Sequence, residues 1–187
     1  MPRWRLSIRL GKSGTACVCT SILTRNRALE PESNGVLQFC QEQGIALVAY
    51  SPLGRGFLTG HIRTPEDVKG DARSFFPRFQ PDNFYKNFDV VDKLEKIAAK
   101  KGVKAGQLGL AWLMRQGNGT HVLPIFGTRT IRRVKENLEG LNVTLTDEEM
   151  KEIREVVDKA GAGGDYGERY PAGMEHLQLR DTPALQE

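Results

Sequence analysis

The sequence has little of what would mark it as secreted, metal-bound or membrane-embedded. Its 187 residues include three cysteines, Cys17, Cys19 and Cys40. Three cannot all pair internally, and no apolar secretory segment precedes them, so a reducing compartment, the cytoplasm, is expected. Cys17 and Cys19 have no second Cys/His pair at ligand spacing, because His61, His121 and His176 are scattered. They read as small hydrophobes on one face of a strand, and no metal site is expected. No apolar run approaches the roughly 20 residues of a membrane helix. The longest, Ile45 to Tyr50 and Leu108 to Met114, are core-sized.

Neither sign of charge dominates. Lys and Arg number 27 against 23 Asp and Glu, a net +4. The charges interleave, without the basic face or stripe that nucleic acid asks for. A hydrophobic share of 39% excludes disorder for the bulk of the chain. The length suits one domain and is short for two. Only the N-terminus is lopsided: Arg3, Arg5, Arg9, Lys12, Arg25 and Arg27 all precede the first acid, Glu30. That is a transit-peptide composition. Trp4, Leu6, Ile8 and Leu10 nevertheless alternate at period two, as in a strand, and an irregular leader is the other reading.

Periodicity and punctuation give the order of elements. Ala16 to Leu23 reads as a strand, and Pro31 to Gln43 as a helix closed by Gly44. Ile45 to Tyr50 reads as a strand buried on both faces. Gly54 to Phe88 has no clear period and reads as one long loop, a length that usually signals function. A helix carrying Val90, Val91, Leu94, Ile97 and Ala98 follows, stopped by Gly102. Another carries Leu108, Ala111 and Trp112, stopped by Gly117. His121 to Ile125 is a third strand. Thr130 to Gly140 is a helix with Ile131, Val134 and Leu138 on one side. Thr146-Asp147-Glu148-Glu149 is a capping box opening a last helix, which Gly161 ends. Strands alternating with helices predict an α/β fold with a parallel sheet. Three strands are few for such a sheet, so the chain reads as a piece of something larger.

Two strand-to-loop junctions could carry chemistry. Ile45–Tyr50 runs into Ser51-Pro52-Leu53-Gly54-Arg55-Gly56. There, glycines let backbone approach a phosphate, and Ser51 and Arg55 can donate to it. Tyr50 offers a flat face to an aromatic ligand. A plain loop with a core tyrosine fits the same residues equally well. Val122–Ile125 runs into Phe126-Gly127-Thr128-Arg129 and then a helix start, a ready anion site. Arg129, Arg132 and Arg133 gather at that end, against the helix dipole, and Arg132 reads as a solvated side chain. Gly161-Ala162-Gly163-Gly164 follows a helix, so it fails the context of a dinucleotide fingerprint.

These residues carry a resemblance. Val48-Ala-Tyr-Ser-Pro-Leu-Gly-Arg-Gly-Phe-Leu-Thr-Gly60 looks like the seventh strand and following loop of the aldo-keto reductases. Asp71-x-Arg73, Pro77-Arg78-Phe79, Asn83-Phe84 and Asn87 resemble that family's next long loop. Gln107-Leu-Gly-Leu-Ala-Trp-Leu113, Pro124-Ile-Phe-Gly-Thr-Arg129 and Glu136-Asn137-Leu138 resemble its last barrel helix, eighth strand and eighth helix. Gly167-Glu-Arg-Tyr-Pro171 is similar to the tail of the fungal and plant branch near pyridoxal reductases.

The resemblance implies part of a TIM-type (β/α)₈ barrel: a remnant of strand six, then strands seven and eight with their helices. Residues 1–15 would be an unmatched leader, 16–161 the C-terminal half of an NADP-dependent barrel, and 162–187 a tail. By motif, Tyr50 would stack on the nicotinamide, and Ser51, Leu53, Arg55 and Gly56 would hold the pyrophosphate. Gly127, Thr128, Arg129 and Arg133 would meet the adenosine 2′-phosphate, favouring NADP(H) over NAD(H). Glu136 and Asn137 would contact the adenine. The implied chemistry is hydride transfer from NADPH to a small aldehyde or ketone, a pyridoxal-like one among the candidates.

The chain also departs from the family. The family's catalytic Asp, Tyr, Lys and His belong to its first half, and no residue here matches them, so the chain alone is expected to be inactive. Cys17, Cys19 and Thr20 stand where the family has Gln-x-Glu-Tyr, and Phe126 replaces a usual proline. The alternative is a non-catalytic remnant that self-associates through the open barrel face. Leu47, Ala49 and Leu123 are expected to lack partners there.

Overall fold

The computed structural model describes residues 15–19, 36–117, 122–162 and 171–173. Expectations for the leader before Thr15, the start of the first helix, His121 and most of the tail lie outside them. Three strands, β1 (Thr15–Cys19), β2 (Ala46–Tyr50) and β3 (Val122–Ile125), form one parallel sheet in the order β1-β2-β3. Cys17 pairs with Val48 and Cys19 with Tyr50, while Val48 pairs with Leu123 and Tyr50 with Ile125. Between and after the strands run α1 (Val36–Glu42), α2 (Pro81–Lys100), α3 (Ala105–Gln116), α4 (Ile131–Glu139) and α5 (Asp147–Ala162).

The main core lies between the sheet and the helices. Leu47, Ala49 and Val122 pack there with Leu94, Ile97 and Ala98 of α2, Leu108, Ala111 and Trp112 of α3, and Ile153 of α5. Each large aliphatic side chain so buried contributes roughly 1.5–3 kcal/mol. This corrects the expected facing of β2. Leu47 and Ala49 are 1% and 0% exposed, beneath the helices. Ala46, Val48 and Tyr50 alternate with them and are only half-buried. Leu123 and Ile125, which pair with Val48 and Tyr50, are 49% and 53% exposed. One face of the described sheet is therefore covered and the other open, as expected. Leu123 is placed as expected, and Leu47 and Ala49 are on the opposite side. Period two separates the two faces of a strand but does not say which one the helices will cover.

The stretch read as one long loop is more ordered than expected. It folds as four 3₁₀ turns, Gly54–Thr59, Pro65–Val68, Ala72–Phe75 and Pro77–Phe79, and α2 already starts at Pro81. Proline at the first helical position gives up an N–H that has no helical partner anyway. A second core organises this region from Phe57, Ile62, Val68, Phe79, Phe84 and Val91. The Phe57 ring stacks on Phe79 at 4.7 Å between centroids and lies 5.2 Å from Phe84. Helix α2 thus serves two cores, with Phe84 and Val91 toward one and Val90, Leu94 and Ile97 toward the other. Two apolar stripes on one helix blur its period, which hid the first turns of α2.

The capping box at α5 forms as read. The Thr146 N–H donates to Glu149 Oε2 at 2.8 Å, and Glu149 N–H donates to Thr146 Oγ1 at 3.2 Å. The helix itself runs past Gly161 to Ala162. No helix among the described residues is long and apolar enough to cross a membrane.

Candidate functional site

Strands β2 and β3 end side by side, and the segments leaving them form the two walls of a cleft of about 720 Å³. Open α/β sheets bind ligands at this end of their strands.

The first wall is the turn after Tyr50. Gly54 N–H donates to Ser51 O and Gly56 N–H to Leu53 O, each at 3.0 Å. Thr59 Oγ1 donates to Gly56 O at 2.7 Å. The turn is tight enough to need left-handed backbone at Ser51 (φ 53°) and Arg55 (φ 57°), both non-glycine, and at Gly56 (φ 108°). Such strain persists only where the surroundings over-determine it.

Arg73 supplies that constraint. Its Nε and Nη2 bind the two Asp71 carboxylate oxygens at 3.0 and 2.9 Å, and its Nη1 donates to Arg55 O at 3.0 Å. The Arg73 backbone N–H also donates to Asp71 Oδ1 at 2.8 Å. These bonds from Arg73, with the more distant charge of Arg129, hold the Asp71 carboxyl below its ordinary pKa. The Arg55 guanidinium lies over the Phe76 ring at 3.7 Å, a cation–π contact.

The second wall is Phe126 to Arg129 and the start of α4. Thr130 caps the helix by accepting the Arg133 N–H at 3.4 Å. The amides of the first turn have no intrahelical acceptor and can receive an anion. A Cβ at Gly127 would meet nothing within 4 Å, so the backbone there is open to a ligand.

The charges do not cancel. Asp71 is taken up by Arg73, Glu136 by the Lys104 ammonium, and Asp67 by the backbone N–H groups of Arg63 and Thr64 at 2.8 Å each. The amide bonds from Arg63 and Thr64 hold Asp67 below its ordinary pKa. Among the described residues neither Arg129 nor Arg133 has a salt-bridge partner, and both line the cleft. The site is a cationic slot with hydroxyl and backbone donors, chemistry that suits a phosphorylated ligand.

Ten of the eleven residues expected from the sequence line this cleft: Ser51, Leu53, Arg55, Gly56, Gly127, Thr128, Arg129, Arg133, Glu136 and Asn137. Tyr50 does not. It ends β2, half-buried, paired with Cys19 and Ile125. Sequence reading assigned no site role to Thr59, His61, Ile62, Asp67, Asp71, Arg73 and Phe126, which also line it. Arg73 meets Arg55 across 18 residues, a separation no local pattern reveals. The apolar side read for α4 is not buried either. Ile131 is 77% and Leu138 46% exposed, and α4 has no buried residue.

Parallel strands that end at a cleft lined by Arg55, Arg73, Arg129 and Arg133 make this an α/β protein with a pocket compatible with an anion. The chain belongs to the aldo/keto reductase family, whose model matches residues 17–158. It is 45% identical over 158 residues to an aldo-keto reductase of Schizosaccharomyces pombe whose name specifies NADP(+), covering 84% of this chain and 45% of that protein. It is 36% identical to a probable aldo-keto reductase of Glycine max, covering 79% of this chain and 42% of that one. Among solved structures it resembles a glycerol dehydrogenase of Gluconobacter oxydans, with a TM-score of 0.66 and 27% identity over 79% of this chain and 43% of that one. The chain therefore spans a little under half the length of these relatives, and its open sheet is part of the family's barrel.

Proposed function

We propose that the cleft binds NADP(H) and that the protein of which this fold is a part reduces small aldehydes or ketones, pyridoxal-like carbonyls among them, in the cytoplasm. The observation that carries the reading is that both phosphate-type junctions converge on one cationic cleft. The donor set fits the cofactor. Ser51, Arg55 and the turn at Gly56 suit a pyrophosphate, Thr128, Arg129 and Arg133 a 2′-phosphate, and Glu136 and Asn137 a base. When bound, the cofactor supplies a hydride. The residues of this chain bind and orient it, and no described side chain in the cleft matches the family's proton donor. We therefore expect no aldehyde turnover with NADPH from the 187-residue chain alone.

The test is titration calorimetry with NADP⁺ and NAD⁺. A charge-assisted arginine–phosphate contact contributes roughly 1.5–3 kcal/mol. Arg133→Ala should then cut the preference for NADP⁺ about tenfold or more. An unchanged ratio in the Arg129→Ala/Arg133→Ala double variant refutes the assignment.

A second reading, a non-catalytic piece that pairs with itself, is favoured by one observation. Leu123 and Ile125 stand about half exposed on the uncovered sheet face, an apolar patch of the kind that promotes association.

A further inference from the structure

We infer that Gln107 is a positioning residue for the cleft: from inside α3 it fixes the height of α4, and with it the height of Arg133, Glu136 and Asn137. The inference rests on the reading of α4 as the 2′-phosphate and base wall.

Helix α4 carries three cleft residues and buries none of its own side chains. Apolar packing of the helix therefore cannot set its position to the accuracy a binding site needs. What reaches it from the core is an amide. Gln107 is only 7% exposed, a rare polar group in that setting. Its Oε1 accepts the Lys104 N–H at 3.0 Å. Its Nε2 donates to the Glu136 backbone O and to Glu139 Oε2, each at 2.9 Å.

The bond to Glu136 O closes a gap in the helix. The Gly140 N–H at the end of α4 is directed to Asn137 O and Leu138 O, so it does not serve the Glu136 carbonyl. The same spot is sterically pinned, since a Cβ on Gly140 would sit 3.3 Å from Gln107 O and 3.4 Å from its Cα. Glu136 is itself a cleft residue and lies one helical turn beyond Arg133. A bond that fixes its carbonyl fixes the level at which the Arg133 guanidinium enters the cleft. Lys104, the other partner of this amide, ion-pairs with the Glu136 carboxylate and ties the same turn from outside.

The experiment uses the full chain with Gln107→Glu, which keeps the shape, removes both donors and sets a carboxylate against Glu139. Hydrogen exchange is read by segment, and binding is read with 2′,5′-ADP as the probe. The expected result is exchange at least about tenfold faster in α4, with α3 and α5 within about twofold of wild type. Binding of 2′,5′-ADP should weaken about tenfold, one lost charge-assisted contact in the affinity scale. Gln107→Glu/Glu139→Gln, which relieves the carboxylate pair but leaves the Glu136 carbonyl without its donor, should recover only part of each loss, and full recovery of both would overturn the role of the Glu136 bond. If Gln107→Glu does not fold, Gln107→Asn, one methylene shorter, is held to the same two readouts. Uniform acceleration across α3, α4 and α5 would show a merely structural role and overturn the inference, as would unchanged exchange in α4. If Arg133→Ala weakens the probe while Gln107→Glu does not, the inference falls and the cofactor reading stands. If Arg133→Ala leaves the probe untouched, the reading fails and the inference falls with it.

Discussion

Gly56→Ala should be the most damaging methyl group that can be added to the cleft. Gly56 sits at φ 108° and ψ −6°, outside the regions an L-residue occupies comfortably. Holding alanine there costs about 1–3 kcal/mol in backbone strain. The new Cβ would also lie 2.9 Å from Arg73 Nη1 and 2.9 Å from Ile62 Cδ1. Neither neighbour is free to give way. Ile62 is 3% exposed within the phenylalanine cluster, and Arg73 is held by Asp71 and the Arg55 carbonyl. Overpacking of this kind adds about 1–3 kcal/mol. The sum is about 2–6 kcal/mol, against a total stability of about 5–15 kcal/mol for an ordinary domain. Gly102→Ala is the control. It has a similar left-handed φ of 71° and nothing within 4 Å of its Cβ, so it carries strain alone. In urea denaturation followed by circular dichroism, Gly56→Ala should lose at least about 1 kcal/mol more than Gly102→Ala. Because the turn can also open locally, 2′,5′-ADP titration accompanies the melt, and part of the loss can appear there as weakened binding. Equal stability and equal binding in the two variants would refute the argument that Arg73 and Ile62 are fixed.

Acid sensitivity should follow two carboxyls. Bonds from Arg73 hold Asp71 below its ordinary 3.8, and the Lys101 ammonium, followed by the Thr146 amide, holds Glu149 below its ordinary 4.5. A depressed folded pKa gives stability that is complete above the unfolded value and is lost as pH falls through the folded one. Melting temperature should therefore fall below about pH 4.5, and less steeply in Asp71→Asn/Glu149→Gln; the same slope in both proteins would exclude these groups as the cause. The uncovered sheet face should drive association. Light scattering should show dimers or larger species that bind ANS, and Leu123→Ser/Ile125→Ser should shift them toward monomer. A monodisperse wild-type monomer without dye binding would refute this.

The order of strands and helices was legible because apolar periodicity and glycine stops are local signals. So were both junctions that line the cleft, since Gly54, Gly56 and Gly127 stand within a few residues of Ser51, Arg55 and Arg129. The supports of the site were not. Arg73 acts through a carbonyl 18 residues away. Gln107 looks like a surface residue, because a polar side chain in a helix is usually solvated. One local cue exists. Gln107 is the third residue of α3 and reaches back to the Lys104 N–H, as in a capping box, but lysine in place of serine or threonine conceals the signature.

The two walls of the cleft are stabilised by different physics, and that separates their failures. The turn after β2 rests on the phenylalanine cluster and on a guanidinium clamp, so it is held by apolar burial and a partly exposed ion pair. Helix α4 rests on one buried amide and a lysine contact, with no buried side chain of its own. Apolar burial is insensitive to salt, whereas an exposed pair such as Lys104 with Glu136 is screened within about 8–10 Å at ordinary ionic strength. Rising salt should loosen the α4 wall first, because the turn keeps its phenylalanine cluster even where the Arg73–Asp71 pair is screened. Ligand groups held by Arg133 would then weaken for two reasons together, direct screening of the phosphate and loss of the height of the helix. Gln107 is the part of that support salt reaches least, because its bonds to the Lys104 N–H and the Glu136 carbonyl are neutral. A Gln107→Asn chain, which shortens the amide without adding charge, should therefore lose 2′,5′-ADP affinity with a steeper salt dependence than wild type, since mainly screened contacts remain to hold α4. Parallel salt slopes for the two proteins would mean that the lysine contact contributes nothing to the placement of the wall.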